Sequence, residues 1–372
     1  MRIVVAAPQP PSPEGGAAGR TTLALLRGLV AHGVEVRAIA PVDDDGPPPA
    51  PAPGVELVPV RLPQRGGLRG LAERARRPVS ELADTGFAER VHAAAGAADV
   101  LHLEQIETAC LGPTRVPTVL HLHYRSRLDA PLGPPWRPAF RHRLEFASAE
   151  RRARRGFEWL MCNSDDVADS LRGGHGAADI TVAPLPLDPS DYPIAAPVDA
   201  PVVGLIGTAT WAPTAAAIRR TLDVVWPQVA RARPDARLRI AGRGTDRLRS
   251  ADPTVELLGT VPSAGGFLAG LAVMLYAAPR GSGTKVKVLE ALACGIPVVT
   301  TPAGLEGLTP NDGIVLARSD TELVRACREL LRDPAERIER GRAGRRYIEA
   351  RHAPAPAAAP VVGLYERMLA RS

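Results

Sequence analysis

At 372 residues the chain is too long for one ordinary hydrophobic core and suits two domains. Hydrophobic residues make up 45%, and no apolar run approaches the ~18 residues that a membrane-spanning helix needs. A formal charge of +6 favours anionic partners, but aromatics at 4%, never interleaved with basic residues, exclude a stacking platform for nucleic acid.

The opening Met1–Pro8 reads as a buried first strand rather than a signal peptide, so a cytoplasmic location is expected. Four cysteines (Cys110, Cys162, Cys294, Cys327) form no CxxC pair and have no histidine at metal spacing. They read as small core residues of a reducing compartment, and no metal site is expected.

In chain order, Ile3–Ala7 is a strand, Pro8 to Arg20 a Pro/Gly loop, and Thr21 to His32 a helix ended by Gly33. Val34–Ala40 is the next strand. Asp43 to Gly54 carries an acid cluster and a proline run, expected as an exposed polyproline-like connection. Val55–Val60, Val100–Leu103 and Thr118–Leu122 follow as strands, and Trp159–Asn163 closes the half. Residues Arg137, Arg141, His142, Arg143, Arg151, Arg152, Arg154 and Arg155 lie on an expected long helix. They read as a solvated face or as a docking face for anionic lipid.

Proline recurs too often in Ala183 to Pro193 for a helix or central strand, and a linker belongs there. The pattern then restarts: strand Val202–Ile206, helix Thr214 to Ala232, strand Arg237–Gly242, short strand Val255–Gly259. Thr321 to Arg351 is expected as helical and charge-rich, and Val361 to Ala370 as a last helix. Strands alternating with helices in both halves argue for two parallel sheets, each covered on both faces.

The most informative stretch lies between 271 and 299. The strand-like run Leu271 to Ala278 feeds the turn Gly281-Ser282-Gly283-Thr284, which opens a short helix that stops at Gly295, with Pro297 just beyond. Small residues let backbone approach a ligand and aim N–H groups at it, and the helix N-terminus favours negative charge. Lys287 and Glu290, three residues apart, share a helix face. They offer a mobile cation and an acceptor pair suited to a ribose diol. The residues alone fit a nucleotide diphosphate site, and equally a plain strand–turn–helix with a solvated Lys–Glu pair.

The longer string decides between them by what it resembles. Gly281-Ser282-Gly283-Thr284-Lys285-Val286-Lys287-Val288-Leu289-Glu290-Ala291, continued by Thr301-Pro302-Ala303-Gly304-Leu305-Glu306-Gly307-Leu308, resembles the donor-binding segment of family 4 glycosyltransferases of the GT-B fold. The branch concerned reads G-x-G-T-x-x-K-V-L-E-A and then T-P-x-G-x-E-G-L. The resemblance implies α/β architecture, with two Rossmann-like domains whose parallel sheets face a central cleft. The expected boundaries are 1–185 for the acceptor-binding domain, 186–200 for the linker, 201–352 for the nucleotide-sugar domain and 353–372 for a helix crossing back to the first domain.

It also implies site residues. Gly15 and Gly16, in the loop after the first strand, would face the donor phosphate. His123, at the carboxyl end of its strand and on the same face as His121, matches a cleft histidine. Many members carry an Arg–Lys pair after the first strand of the second domain, where this chain has Gly207-Thr208-Ala209-Thr210. That job would move to Lys287, with Arg280 and Lys285 as alternatives and Thr208 as a lesser contact. The family's first donor-site glutamate falls on Ser282, so amides of Ser282, Gly283 and Thr284 are expected to hold the sugar, or sugar specificity is altered. Glu290 keeps the ribose position. Gly242 belongs to a loop beside the base, and Glu306 contacts sugar hydroxyls or caps the loop.

The implied activity is a retaining, metal-independent transfer of a sugar from a UDP- or GDP-linked donor to a hydroxyl of a glycan, a lipid-linked acceptor or a small natural product. The donor is a substrate and no cofactor is expected. A GT-B sugar-nucleotide epimerase and a non-catalytic, transferase-like partner protein stay open as alternatives.

Overall fold

The computed structural model describes residues 1–42, 52–61, 82, 86–129, 138–173, 178–196, 198 and 200–372. Most of the 43–54 proline run, Arg137, and the side chains at 141–143 lie outside the described residues. The chain forms two compact units, Met1–Pro186 with Ala353–Ser372, and Leu187–His352.

The first unit is built on seven parallel strands: β1 (Arg2–Ala6), β2 (Glu35–Val42), β3 (Val55–Arg61), β4 (Val100–Glu104), β5 (Thr118–Leu122), β6 (Trp159–Cys162) and β7 (Asp179–Val182), in the order β3-β2-β1-β4-β5-β6-β7. Two apolar layers follow from the period-2 alternation of strand side chains. Ile3 and Val5 face one layer with Leu25, Leu29, Val361 and Leu364, while Val4 and Ala6 face the other with Phe87, Val91 and Phe146. The second unit has six parallel strands: β8 (Val202–Ile206), β9 (Arg237–Ala241), β10 (Val255–Gly259), β11 (Val273–Tyr276), β12 (Val298–Thr300) and β13 (Ile314–Leu316), in the order β10-β9-β8-β11-β12-β13. Both orders reverse direction beside the unit's first strand, and ligands bind outside the carboxyl ends of strands at such a switch point. The 281–284 turn follows β11, next to β8, at the switch point of the second unit.

Several elements depart from the sequence expectation for identifiable reasons. β6 does not close the first half, because Asp179–Val182 pairs with it as a further parallel strand. The first helix spans Ala17–Ala31, starting four residues early with Gly16 as its N-cap. The expected helix Thr214 to Ala232 is Ala212–Arg220, a π-turn Thr221–Val225, then Trp226–Ala232. Pro227 is the cause, since it offers no N–H and its ring crowds the carbonyl one turn back. The helical stretch after Thr321 is two helices, Asp320–Arg332 and Pro334–Arg351. They are divided at Asp333, whose carboxylate accepts from Glu336 N at 3.0 Å and so starts the second.

The last helix, Pro354–Ala370, packs on Ala17–Ala31 through Gly28. A Cβ there would sit 2.1 Å from Pro354 O and 2.7 Å from Ala358 Cβ. Gly28→Ala should therefore cost the first unit about 1–3 kcal/mol by overpacking, seen as a lowered melting temperature. An unchanged melting curve would mean that this close approach is not a packing constraint.

Candidate functional site

In the second unit, the loops after β8, β9 and β10 are laced together by backbone. Gly207 N donates to Ala241 O at 2.9 Å, Ala209 N to Arg243 O at 2.9 Å, and Gly242 N to Gly259 O at 2.6 Å. A Cβ on Gly207 would lie 2.9 Å from Lys287 Cε, so this glycine lets the loop rest on the lysine. Thr208, beside it, is half-buried.

Lys287 occupies the first turn of the helix Val286–Ala293, its Nζ 4.8 Å from the centroid of the Tyr276 ring. That is a cation–π distance on a β11 side chain. Burial pushes the lysine down to about 8, against the opposing pull of the Glu290 charge. A cation held this close to neutrality, with part of its surface open, gains most from meeting an anion.

Of the two alternative cations, Lys285 is turned into its own loop. Its Nζ donates to Gly283 O and lies 3.7 Å from Glu306 Oε2, with both side chains nearly buried. Arg280 is exposed at the loop's rim. Glu306 also accepts from Gly283 N at 2.7 Å, so it braces the turn from behind. Of the amides of Ser282, Gly283 and Thr284 expected at the sugar, that of Gly283 donates to this carboxylate. Ser282 and Thr284 are buried, and Thr284 Oγ1 approaches Gly307 O at 3.5 Å.

Glu290, 3% exposed, accepts from the Tyr192 hydroxyl at 2.9 Å. Tyr192 comes from the proline-rich stretch, 98 residues away in sequence. Removing the hydroxyl strips a buried carboxylate of a donor, a loss of about 1–3 kcal/mol. Tyr192→Phe should lower the melting temperature of this unit accordingly, and an unchanged value would mean that Glu290 is satisfied without it. A cavity of about 400 Å³ opens at the opposite end of the sheet, beside Leu271, Ile296 and Arg345, away from these loops.

In the first unit, Gly15 and Gly16 precede the helix Ala17–Ala31, and the Arg20 guanidinium folds back to donate to Gly15 O. His123 stands just past the end of β5 and is part of a denser group than the sequence suggested. Its Nε2 lies 2.7 Å from Glu104 Oε2 and 3.1 Å from His121 Nδ1. Glu104 Oε1 lies 3.0 Å from His121 Nδ1 and 3.0 Å from His102 Nε2. The Tyr365 hydroxyl meets His102 Nδ1 at 2.6 Å. Gln105, directly after Glu104, has φ 66°, the only positive φ outside glycine among the described residues. Burial would raise the Glu104 carboxyl, but His121, His123 and His102 outweigh it and hold the group well below the usual range. Burial, with the His123 charge, pushes His121 down to about 4 against the pull of Glu104.

His102, Glu104 and Tyr192 were missed in the sequence. His-x-Glu on one strand and His-x-His on the next was a readable signal, because alternation turns each pair to one face. Nothing local marked Tyr192.

No helix among the described residues is long and apolar enough to cross a membrane. The helix Pro138–Gly156 carries Arg151, Arg152 and Arg155 exposed near its end.

The model of group 1 glycosyl transferases matches residues 200–333, and that of the glycosyl transferase 4-like domain matches residues 16–188. A protein of Corynebacterium glutamicum, the GDP-mannose-dependent monoacylated alpha-(1-6)-phosphatidylinositol monomannoside mannosyltransferase, is 38% identical over 141 residues. That match covers 33% of this chain and 37% of the relative, so it spans little more than a third of the relative's length. Sucrose-phosphate synthase from Thermosynechococcus elongatus aligns over 100% of both chains with a TM-score of 0.74 at 17% identity. Anabaena HepE, solved in complex with UDP and glucose, aligns over 99% of this chain and 100% of its own with a TM-score of 0.66 at 15% identity. At such identities the likeness speaks to the fold. Because one family model lies along each unit, over 16–188 and 200–333, the chain belongs to the family 4 glycosyltransferases.

Proposed function

We propose that the chain moves a sugar from a nucleotide diphosphate sugar to an acceptor hydroxyl, with retention of anomeric configuration. The observation that carries this is the glycine turn at the switch point of the second unit, with half-buried Lys287 on the first turn of the helix behind it. Lys287 meets the diphosphate, with Arg280 at the rim and Thr208 and the 208–210 backbone on the other side. Glu290 takes the ribose diol as a further donor beside Tyr192, since a carboxylate has about four lone-pair sites. Gly242 keeps the neighbouring loop close enough to flank the base. Ser282 and Thr284 serve the sugar, while Glu306 and Lys285 hold the turn in shape.

As the bond between the anomeric carbon and the phosphate oxygen breaks, negative charge grows on the leaving diphosphate. Lys287 stabilises it in place, and preorganised charge of this kind supplies most of the rate enhancement in many enzymes. The acceptor hydroxyl attacks from the same face and gives its proton to the departing phosphate oxygen, so no carboxylate nucleophile and no metal at the phosphates is called for. On the first unit, Gly15 and Gly16 lead into the helix Ala17–Ala31. His123, whose Nε2 is engaged by Glu104, offers Nδ1 to a substrate hydroxyl. The mannosyltransferase relative makes a GDP-linked hexose and a lipid-linked acceptor the first pair to try, and the exposed arginines of Pro138–Gly156 suit an anionic membrane surface.

The test is thermal stability with UDP, GDP, ADP and TDP, on the protein and on Glu290→Ala. A nucleotide at 100 times its dissociation constant adds about 2.7 kcal/mol, several degrees for a unit of this size. A shift with one nucleotide, lost in Glu290→Ala, supports the reading and names the base. No shift with any of them in folded protein sinks it.

A further inference from the structure

The His–Glu group of the first unit packs three imidazole nitrogens against one buried carboxylate. Neutral His121 has one ring proton. On Nδ1, that proton suits Glu104 Oε1 at 3.0 Å, beside the N–H that His123 Nε2 aims at Glu104 Oε2 at 2.7 Å, with the two nitrogens crowded to 3.1 Å. The same choice leaves His121 Nε2 a buried acceptor with no partner. On Nε2, the proton leaves the Nδ1 lone pair aimed at a carboxylate oxygen. The first tautomer strands a buried nitrogen, and the second sets a lone pair against the carboxylate.

A cation suits this convergence, because every converging atom can then present a lone pair. We propose that His102 Nε2, Glu104, His121 Nδ1 and His123 Nε2 form a binding site for one zinc ion. Three features beyond the ligand set support it. The ligand atoms of His102, Glu104 and His121 lie within 4.8 Å of one another, and His123 Nε2 adjoins two of these residues, 2.7 Å from Glu104 Oε2 and 3.1 Å from His121 Nδ1. A tetrahedron with bonds of 2.0–2.1 Å has edges of about 3.4 Å, so the Glu104–histidine and His121–His123 spacings of 2.7–3.1 Å need to open by a few tenths of an ångström while His102 and His123 draw together.

The platform is rigid, since Glu104 and His121 are register partners on adjacent parallel strands. The outer partner is present too: the ion fixes His102 with its proton on Nδ1, which donates to the Tyr365 hydroxyl at 2.6 Å. A ligating histidine is generally held through its second nitrogen in this way. Three imidazoles and one carboxylate suit zinc, where calcium or magnesium would take oxygen ligands. His123, with 14% of its side chain exposed against 0–3% for the others, marks the side from which the ion enters. One cost remains, a buried Nε2–H on His121.

The site lies on the first unit and does not rest on the donor chemistry, so its failure would leave the transferase reading untouched. The full chain, stripped with a chelator and dialysed, is titrated with zinc against a chromophoric indicator and separately with cobalt(II). One zinc per chain is expected, with cobalt giving the intense visible bands of tetrahedral coordination, discharged by zinc. His121→Asn and Glu104→Gln, checked for folding by circular dichroism, should lose those bands, and Tyr365→Phe should weaken zinc binding by about 10-fold or more. Folded wild-type protein that takes up no stoichiometric zinc, or shows only six-coordinate cobalt, overturns the proposal. So does zinc binding that is unchanged in His121→Asn.

Discussion

Lys287→Ala should lower kcat/KM for the sugar nucleotide by about 10²–10³-fold, the loss seen when one preorganised donor to a developing oxyanion is removed. The size follows from the neighbours. Lys285, the other lysine of the segment, is committed to Gly283 O and Glu306, and Arg280 is exposed at the rim. Neither is placed to take over a charge seated under Gly207. Because Lys287 is already held near half-protonation, at about 8, the loss also carries a pH signature. The cation is present below about 8 and is lost above it, so kcat/KM should fall on the alkaline side of that value, as free-enzyme profiles report. Lys287→Arg keeps its charge at any accessible pH, so the alkaline fall should vanish even though the fork fits less well. An alkaline fall that persists in Lys287→Met would assign it to another group.

The same lysine gives an opposite result for stability. Its folded value lies below its ordinary 10.5, so between about 8 and 10.5 the unfolded chain binds more protons than the folded one. Stability therefore rises with pH across that window, and below it the full penalty of burying the charge is present. Lys287→Met should raise the melting temperature of the nucleotide-free protein at pH 7 while abolishing the shift given by the nucleotide. A residue kept for structure would lower it. Opposite signs in the two measurements mark a group retained for ligand.

How much of this could be read beforehand depended on whether the physics was local. The parallel sheets were legible because strand-length apolar runs alternate with helical patterns, and the 281–284 turn because small residues, Lys287, Glu290 and a Gly–Pro exit fall within twenty positions. Asp179–Val182 escaped because four half-buried residues carry too little pattern to stand out. The break before Trp226 is marked by Pro227 but masked by the apolar period, which continues across it. Tyr192 is brought to Glu290 by the fold, and a proline-rich run gives no hint of it. The His102–Glu104 pair could have been seen had alternation been applied to both strands and not to His121 and His123 alone. Spacing along the chain carries no sign of a side-chain set assembled across a sheet, as His102, Glu104, His121 and His123 are.

Gly242→Ala should destabilise the second unit by about 3 kcal/mol or more and abolish nucleotide binding with it. Two costs combine. The backbone stands at φ 123°, outside the regions open to residues with a Cβ, a strain of about 1–3 kcal/mol. The new methyl would also lie 2.2 Å from Gly207 O and 2.7 Å from Gly207 C, which are backbone and cannot rotate aside. The loop after β8 would have to move, and the Lys287 stem lies under it, 2.9 Å from a Cβ built on Gly207. Gly244→Ala separates the two costs. Its φ is 82°, yet its nearest neighbour is Ala209 Cβ at 3.7 Å, so it carries strain without a clash. Gly244→Ala should melt a few degrees lower and still respond to nucleotide, while Gly242→Ala should melt lower still and not respond. Equal losses in the two would mean that Gly242 serves only its own dihedral angles. An unequal pair would show that three loops at the switch point are held at backbone contact so that Lys287 stays where an anion can reach it.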